Sequence, residues 1–351
     1  MENGWRNIAT IAGVVGVLAA SIGGTADAQE RVGWKLASSY TSSLDVLGQN
    51  ILRVIDNIKV MSDDNFDIEF FEPGALVPAL EVFDAVSKGS VQASYTTTGF
   101  HAGRVPHQIF FSSVPFGPNV NEYIAWIQHG GGYELYDAAY GEHNIKGLQC
   151  GIVVAESSGW FREPIESLDD LKGLKMRFFG LGAKVMSKLG VSTQLLAGAD
   201  IYPALERGVI DATEFSYPSL DQSLGFHQIA KHNYFPGWHQ QASFVEIIMN
   251  RDAWNALPAS YQKMLEMACN DANVWLMGAA EAKQGEAIAF HESQGVIIHQ
   301  WPPEFIDAYR QAWEEVLVEE SAADPRFKEV YDHYQAFRDE YAKWREVGYL
   351  Q

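Results

Sequence analysis

Two glutamates and one arginine are the side chains of this sequence best suited to bind a small charged ligand. Glu156 and Glu214 each follow a short apolar run of strand character. Because open α/β sheets bind ligands at the carboxyl ends of their strands, Glu214 lies where a site is expected. Arg177 precedes a glycine-rich turn into a helix, where a guanidinium can hold a carboxylate through two parallel hydrogen bonds. A solvated glutamate at a strand end and a surface salt bridge for the arginine are the alternatives.

The same two glutamates could instead be the acid–base pair of an exported hydrolase, as in glycosidases. The sequence contains neither a Gly-x-Ser-x-Gly turn nor a zinc-protease motif. It also contains no His-x-x-x-His pair, so no pattern supports a zinc site. These patterns favour ligand binding over catalysis.

The excess of acidic residues narrows the range of partners. The chain has 45 acidic and 25 basic residues, which gives a net charge of −20. Such a charge disfavours binding to nucleic acid or to an anionic membrane. An anionic ligand would need a positively charged group of the protein within its site. Salt screens the repulsion from acidic residues more than about 8 Å away, so one local group can be sufficient.

The N-terminus predicts export. Arg6 precedes an apolar run over residues 8–22, and Ala26-Asp27-Ala28 forms an Ala-x-Ala cleavage signal. The run is too short and too rich in glycine for a transmembrane span. Residues 1–28 therefore predict a Sec-type signal peptide and a periplasmic location for the mature chain.

The chain has two cysteines, Cys150 and Cys269. An exported protein can form one disulfide from them. Both lie in apolar runs, however, so two buried thiols are an equal alternative.

Alternating strands and helices must position the charged side chains. Strands predicted at residues 32–37, 66–70 and 91–95 are separated by helices predicted at 44–61 and 78–86. This βαβαβ order predicts a mostly parallel sheet covered by helices. A mature chain of about 320 residues exceeds the usual size of one core, so two lobes are expected.

The second half of the chain continues the alternation and ends in helices. Further strands are predicted at residues 148–154, 174–178, 209–215, 244–249 and 296–298. Further helices are predicted at residues 183–189, 258–291 and 304–318, and from Asp324 onward. Ser167 with Asp170 predicts a capped start for one short helix. An aromatic stripe from Phe327 to Trp344 predicts that the last helix packs on its own body or on a partner.

An internal echo links the two halves. Residues 85–95 align without gaps with residues 204–214, and in both a helix end is followed by a basic residue, a glycine and a strand. The echo predicts two similarly built lobes whose strand tips meet at a cleft, with Tyr95 and Thr97 facing Glu214. The alternative is that the order helix, glycine, strand is common in α/β proteins, so the similarity says nothing about the two lobes.

Several motifs along the mature chain carry a resemblance to a known family. They are Asp170–Arg177, Gly180-Leu181-Gly182, Pro203-Ala204-Leu205 with Gly208, Ile210–Glu214 and Tyr234–His239. With them the chain resembles the solute receptors of tripartite ATP-independent periplasmic (TRAP) transporters, in the branch that binds 2-oxo and 2-hydroxy monocarboxylates. An ABC-type carboxylate-binding protein is the alternative, but the aromatic loop and the long predicted helix favour the TRAP type.

The resemblance implies an α/β fold, a two-lobed periplasmic binding protein of the type II-like flytrap kind, with a long connecting helix and a C-terminal helical extension. Lobe 1 would comprise residues 29–153, with 245–300 returning to it, and lobe 2 residues 154–244. Residues 301–351 would form the C-terminal helices, through which such receptors form homodimers. The receptor would deliver a small carboxylate to the small and large membrane permease subunits.

The resemblance also implies a site in which Arg177 pairs with the substrate carboxylate and a Na⁺ or Ca²⁺ ion bridges protein and substrate. The ligands of this cation fall on Glu156, Glu214, the backbone carbonyl of Phe215, and Gln240. Relatives carry glutamine at the first of these positions and glutamate at the last, so two residue types are exchanged here. Two carboxylates and one amide remain, which suits a hard cation. A different ligand, or a site without metal, is the alternative.

The implied substrate-binding set lies around this cation. It comprises Glu156, Arg177, Tyr95, Thr97, Phe100, Phe215 and Trp238. Its aromatic members would either shape a small apolar pocket or belong to the core.

Overall fold

The computed structural model describes residues 30–349 together with Met1. The predicted signal peptide, residues 1–28, lies outside these residues except for Met1, and it remains a prediction. No helix in the described range combines the length and the apolar character needed to cross a membrane.

Within residues 30–349 the chain alternates between strands and helices as predicted. The strands are β1 (Val32–Ser38), β2 (Phe66–Phe71), β3 (Ala93–Thr96), β4 (Ile145–Val153), β5 (Gly159–Phe161), β6 (Lys175–Arg177), β7 (Ser192–Gln194), β8 (Ala212–Thr213), β9 (His232–Phe235), β10 (Ser243–Asn250) and β11 (Ile297–Gln300). The α-helices are α1 (Leu47–Met61), α2 (Val82–Ser87), α3 (Val120–His129), α4 (Gly132–Gly141), α5 (Gly180–Lys188), α6 (Gly198–Glu206), α7 (Pro218–Leu224), α8 (Arg251–Ala256), α9 (Ala259–Ser293), α10 (Pro303–Ala323) and α11 (Pro325–Gly348).

The first sheet has the strand order β2-β1-β3-β10-β4. β1 pairs in parallel with both β2 and β3, as the βαβαβ order predicts. β10 runs antiparallel between β3 and β4, because it enters this sheet only after the chain has crossed to the second sheet and returned. All of its residues are buried, so it is an inner strand on which polar groups depend on partners within the protein.

The second sheet has the order β11-β9-β5-β8-β6-β7 and is mixed. β6 is parallel to β7 and β8, whereas β5 is antiparallel to β8 and β9. β11 pairs with β9, which differs from our assignment of residues 245–300 to the first lobe. The reason is the 35-residue helix α9, which at about 50 Å is long enough to carry the chain from one sheet to the other.

Cys150 of β4 and Cys269 of α9 form a disulfide. The sequence left this pairing and two buried thiols open, and the packing of α9 across β4 decides between them. The two Cα atoms lie 4.2 Å apart although 119 positions separate the residues in the chain. The bond therefore fastens the long helix to the first sheet.

The two similar segments, residues 85–95 and 204–214, form the same kind of helix C-terminus in the structure. Gly89 after α2 and Gly208 after α6 have φ angles of 71° and 70°, a region that glycine enters without a Cβ penalty. In each copy the next amide donates to the carbonyl five residues earlier, at 2.8 Å and 2.9 Å. Val209 is 53 % exposed, so the predicted buried strand starts only at Ala212.

The aromatic stripe of α11 divides into two parts. Phe327 and Tyr334 are buried and pack against Phe110, at ring centroid distances of 4.6 Å and 5.8 Å. Trp344, near the end of the helix, is 54 % exposed. The first turns of the helix therefore pack on the protein's own body, and the apolar face of its last turns is in solvent.

Candidate functional site

Arg177 and Glu214 meet because their strands are neighbours. β6 and β8 pair in parallel with Arg177 opposite Thr213, so the residue after Thr213 lies beside the guanidinium at the carboxyl ends of both strands. Nη1 of Arg177 donates to the backbone oxygen of Glu214 at 2.7 Å and to its Oε1 at 2.8 Å. Both side chains are buried. They form an ion pair inside the protein.

The remaining contacts of Arg177 fix its orientation. Nε donates to the carbonyl of Leu196 at 3.3 Å, and the rings of Phe179 and Phe215 lie 5.9 Å and 5.1 Å from the guanidinium carbon. The amide of Phe179 also donates to Oε1 of Glu214. Within residues 30–349, Nη2 makes no hydrogen bond. One terminal nitrogen of a rigidly held guanidinium is thus available to a ligand.

Glu156 is held by the loop that connects β9 to β10. The amide of Gly237 donates to its backbone oxygen at 2.9 Å. A Cβ at Gly237 would lie only 2.5 Å from that oxygen, so no larger residue fits this approach. Nε2 of Gln240 donates to Oε2 of Glu156 at 2.7 Å, and Nε2 of His239 lies 2.7 Å from Oε1. The two exchanged positions, 156 and 240, are therefore in direct contact.

His239 brings the two glutamates into one cluster. Its Nε2 also lies 3.8 Å from Oε2 of Glu214. One donor atom from each of Glu156, Glu214 and His239 lies within 4.8 Å of the others, and all three residues are buried. The sequence shows His239 only as a lone imidazole in an aromatic loop, and only the fold brings it to the carboxylates.

Positive charge is scarce in this cluster. Burial raises the pKa of Glu156 well above its usual value, and the charges of Glu214 and Asp221 raise it further. Burial also raises the pKa of Glu214, against the lowering effect of Arg177. Burial and the nearby Arg177 lower the pKa of His239 to about 3, so the imidazole is neutral at neutral pH. A cation among these groups would supply the missing positive charge.

The residues present fit a cation. Carboxylate oxygens from Glu156 and Glu214, together with the amide of Gln240, are donors that hard cations take. Neither ring nitrogen of His239 makes a well-directed hydrogen bond within the described part of the chain. Burial and the charge of Glu214 both disfavour an ionised Glu156, and a cation between the two carboxylates would offset this repulsion.

A cavity of about 40 Å³ adjoins the cluster. It is lined from both sheets by residues that include Tyr40, Thr97, Phe100, Arg177, Phe215 and Gln240. Glu156 and Glu214 lie behind this lining, in contact with Gln240 and Arg177 respectively. The structure thus brings together most of the residues that the sequence analysis assigned to the site.

Two predicted substrate contacts lie elsewhere. Tyr95 is completely buried, and its hydroxyl contacts Nδ2 of Asn50 at 3.1 Å on the α1 side of the sheet. Thr97 follows the last residue of β3 and lines the cavity, whereas the ring of Tyr95 lies within the sheet with its hydroxyl at Asn50. Trp238 stacks on Tyr309 of α10 at a ring centroid distance of 4.6 Å and is a core residue. The turn that directs the side chain of His239 toward the two glutamates directs that of Trp238 toward α10.

A family model matches most of the chain. The model describes bacterial extracellular solute-binding proteins of family 7, and it covers residues 37–323. The match includes all strands except most of β1, the cluster of Glu156, Glu214 and His239, and the disulfide.

Three relatives extend this match. A monocarboxylate 2-oxoacid-binding periplasmic protein of Nostoc sp. (strain PCC 7120) is 36 % identical over 91 % of this chain and 87 % of its own length. A TRAP transporter solute-binding protein of Bordetella bronchiseptica is 34 % identical with a TM-score of 0.89, over 91 % of this chain and 96 % of its own. That structure is a mixed-occupancy dimer, with calcium and picolinate in one active site. A TRAP periplasmic solute-binding protein of Pseudoalteromonas atlantica, with bound sodium and pyruvate, is 31 % identical with a TM-score of 0.86, over 90 % and 96 %.

Proposed function

This chain belongs to the bacterial extracellular solute-binding proteins of family 7, and from this membership we propose that it is the receptor of a TRAP transporter for a small monocarboxylate, a 2-oxoacid or 2-hydroxyacid. Proteins of this family are receptors and not enzymes, so an acid–base role of Glu156 and Glu214 in hydrolysis is set aside. The observation that carries the proposal is the buried Arg177, held by Glu214 at the wall of a small cavity.

Arg177 pairs with the carboxylate of the ligand. Its Nη1 is committed to Glu214 and its Nε to Leu196, which leaves Nη2 for the ligand. A charge-assisted hydrogen bond in a site shielded from water is stronger than the same bond at the surface. The flanking rings of Phe179 and Phe215 exclude water from one side of the guanidinium.

A cation takes part in binding. The relatives bind sodium with pyruvate, or calcium with picolinate. In this chain Glu156, Glu214 and Gln240, with the backbone carbonyl of Phe215, are the candidate ligands. The ion would offset the repulsion between two buried carboxylates and the carboxylate of the substrate. Arg177 and the ion then act on opposite ends of one negatively charged ligand.

The size of the cavity favours a short acid. A volume of about 40 Å³ corresponds to roughly three water molecules. The lining combines aromatic rings (Tyr40, Phe100, Phe215) with the polar ends of Arg177 and Gln240. A ligand of few carbons with one carboxylate and an adjacent oxygen matches this lining better than a dicarboxylate or a sugar acid.

The two sheets act as two lobes that close on the ligand. The first lobe is built on the sheet β2-β1-β3-β10-β4, and the second on the sheet β11-β9-β5-β8-β6-β7. Thr97 and Phe100 come from the first, and Arg177 and Phe215 from the second, so a ligand that contacts both stabilises the closed state. The closed receptor, exported to the periplasm, delivers its cargo to the small and large permease subunits.

Homodimerisation would use the end of the C-terminal helix. Trp344 and Val347 of α11 are 54 % and 78 % exposed, although the start of the helix is buried. Exposed apolar groups in one patch favour a contact with a partner. Sedimentation of the full chain and of a Trp344→Ser variant tests this, since the variant should be monomeric and an unchanged dimer would place the interface elsewhere.

A thermal-shift screen tests the ligand class. The purified chain is treated with EDTA and then heated with pyruvate, 2-oxobutyrate or lactate, in the presence of Na⁺ or Ca²⁺. We expect the melting temperature to rise by about 5 °C at one hundred times Kd. Methyl pyruvate, which lacks the free carboxylate, and succinate serve as controls and should have little effect. No response to any 2-oxoacid or 2-hydroxyacid would refute the proposed ligand class.

A further inference from the structure

We propose that the hydroxyl of Tyr40 donates a hydrogen bond to the oxygen on C2 of the ligand, and that this bond selects 2-oxoacids and 2-hydroxyacids over acids that lack this oxygen. The inference rests on the proposed function for the class of ligand. It goes beyond that function in naming the group of the first lobe that recognises the second carbon.

Tyr40 reaches the cavity from the end of a parallel strand. It lies two residues after β1, which pairs in parallel with β2 and β3. The amide of Tyr40 donates to Oγ of Ser38 at 3.0 Å, and that hydroxyl donates to the carbonyl of Tyr40 at 2.6 Å. These bonds fix the turn after the strand, and the side chain lines the cavity. The carboxyl end of a parallel strand is where open α/β sheets bind their ligands.

The ring of Tyr40 is packed, but its hydroxyl has no partner. Tyr95 meets the ring edge-on at a centroid distance of 5.8 Å, and Phe100 lies 5.6 Å away. The residue is 7 % exposed. Its hydroxyl makes no hydrogen bond to any residue in the range 30–349. Because a buried tyrosine hydroxyl usually has a partner, a ligand in the cavity is the group that would supply one.

The other hydroxyls of the first lobe at this cavity are already hydrogen-bonded. Oγ1 of Thr97 donates to the carbonyl of Phe244 at 3.1 Å. Oγ of Ser243 lies 3.3 Å from Oγ of Ser112. Among the described residues, Tyr40 therefore carries the one hydroxyl of this lobe that lines the cavity without a hydrogen bond. A ligand held by the second lobe meets this hydroxyl across the cleft.

The charges around Tyr40 make it a neutral donor. Burial and the neighbouring Tyr95 raise the pKa of its hydroxyl well above the ordinary value, against the lowering effect of Arg177. The hydroxyl therefore keeps its proton and can donate it. Arg177 offers Nη2 to the carboxylate of the ligand, and the cation balances the remaining negative charge. A neutral donor then suits the uncharged oxygen on C2.

Selectivity follows from the unpaired state of the hydroxyl. A site that is built to hydrogen-bond a polar group of its ligand rejects an analogue without that group, because the buried group of the protein stays unpaired. Propionate has the chain length of pyruvate and lacks the oxygen on C2. It would leave the hydroxyl of Tyr40 buried without a partner, whereas pyruvate satisfies it.

Tyr40→Phe tests the bond, since it removes the hydroxyl and keeps the ring. In isothermal titrations at a fixed Ca²⁺ concentration, the variant should bind pyruvate about tenfold more weakly than wild type. Its affinity for propionate, measured by displacement of pyruvate, should not decrease. The variant without ligand should melt at the temperature of wild type, because the hydroxyl has no partner within the described protein. Pyruvate affinity within twofold of wild type would overturn the inference, and so would an equal loss for propionate.

Tyr95→Phe is the matched control. Tyr95 is another buried tyrosine of the first lobe, and its hydroxyl contacts Nδ2 of Asn50 at 3.1 Å, away from the cavity. We expect this variant to melt at a lower temperature than wild type and to bind pyruvate within twofold of it. If Tyr95→Phe weakens pyruvate binding as much as Tyr40→Phe does, the effect belongs to the packing of the sheet and the proposal is wrong.

Infrared difference spectroscopy on bound [2-¹³C]pyruvate identifies the oxygen that accepts the bond. A hydrogen bond to a carbonyl oxygen lowers its stretching frequency. The labelled C2 band should therefore lie at a higher frequency in Tyr40→Phe than in wild type, and the carboxylate bands should stay in place. A shift of the carboxylate bands with an unmoved C2 band would put the hydroxyl at the carboxylate and refute the proposal.

The outcomes also distinguish this inference from the proposed function. Wild type that binds pyruvate, together with Tyr40→Phe of unchanged affinity, overturns the role of Tyr40 and leaves the receptor function intact. Failure of every 2-oxoacid and 2-hydroxyacid to bind wild type overturns the proposed function, and this inference with it.

Discussion

Gln240 donates a hydrogen bond from Nε2 to Oε2 of Glu156, at 2.7 Å. The two residues are 84 positions apart and lie in different loops, yet they form one buried pair. The resemblance to TRAP receptors places an amide at 156 and a carboxylate at 240, the reverse of this chain. Because the side chains touch, either arrangement puts one carboxylate and one amide in the same place. We infer from this contact that the exchange is a compensated pair.

The compensation can be measured with a double-mutant cycle. Glu156→Gln removes a carboxylate from the cation site and should weaken cation-dependent ligand binding by about 10–100-fold. The double variant Glu156→Gln/Gln240→Glu returns the carboxylate on the other side and should recover most of the affinity, with a coupling free energy of at least about 1 kcal/mol. Isothermal titration with pyruvate measures all four proteins. Additive losses would show that the two positions act independently.

Arg177→Ala should abolish measurable binding of the carboxylate. The substitution removes the donor to the ligand and leaves Glu214 buried without its partner, which also destabilises the fold by about 3–5 kcal/mol. Arg177→Lys is the informative control, since it keeps the charge and loses the forked geometry. We expect folded protein with affinity reduced at least about 30-fold, as measured by titration and circular dichroism. Micromolar affinity in a folded Arg177→Ala variant contradicts the clamp.

Glu246 predicts a pH dependence of stability. This buried carboxyl accepts hydrogen bonds at 2.5 Å from the hydroxyls of Tyr136 and Tyr140. Burial raises its pKa from 4.5 to about 7, although the tyrosines oppose the rise. The folded state therefore binds a proton more tightly than the unfolded chain does. The contribution to stability is complete below about pH 4.5 and is lost as the pH rises through 7, a change of about 3 kcal/mol.

Urea unfolding of wild type and Glu246→Gln between pH 5 and pH 8, in EDTA, measures this effect. The difference in the free energy of unfolding between the two proteins should shift by about 2.5 kcal/mol in favour of the variant between pH 5 and pH 8. Glu69→Gln, at an exposed position of β2, is the control and should show no such shift. A constant difference across the range would mean that Glu246 does not titrate there.

The disulfide between Cys150 and Cys269 should stabilise the fold and leave the site unaffected. The bond closes a long loop, so the double variant Cys150→Ser/Cys269→Ser should lose about 2–5 kcal/mol of unfolding free energy. Wild type treated with dithiothreitol should approach the stability of the variant, and the variant should not respond to the reductant. Pyruvate affinity well below the unfolding transition should stay within about twofold. A reductant-sensitive variant would contradict the pairing.

Local features were readable from the sequence because each depends on residues close together in the chain. Ser167 and Asp170 form the predicted capping box. Gly208 adopts the positive φ that its place after a helix predicts. Arg177 and Glu214 were expected at the carboxyl ends of strands, and adjacent pairing of β6 and β8 brings them together. In each case the prediction rests on a local pattern: the alternation of a strand, a capping box, or a glycine after a helix.

Other features depended on which distant segments become neighbours and on which side each residue faces. The position of His239 beside Glu156 follows from the turn at Gly237, whose effect on side-chain direction no spacing in the sequence predicts. The same turn makes Trp238 a core residue. The assignment of β11 to the second sheet follows from the length of α9.

Chain length and periodicity predicted an α/β protein of two lobes with charged groups at strand ends. Tertiary structure alone decided that two carboxylates, an imidazole and an arginine share one buried volume. The physical reason is that hydrophobic burial is non-directional, so a sequence pattern specifies which faces are buried without specifying what they are buried against. The contacts between Arg177 and Glu214 and between Glu156 and Gln240 exist only once the strands and loops that carry them are packed.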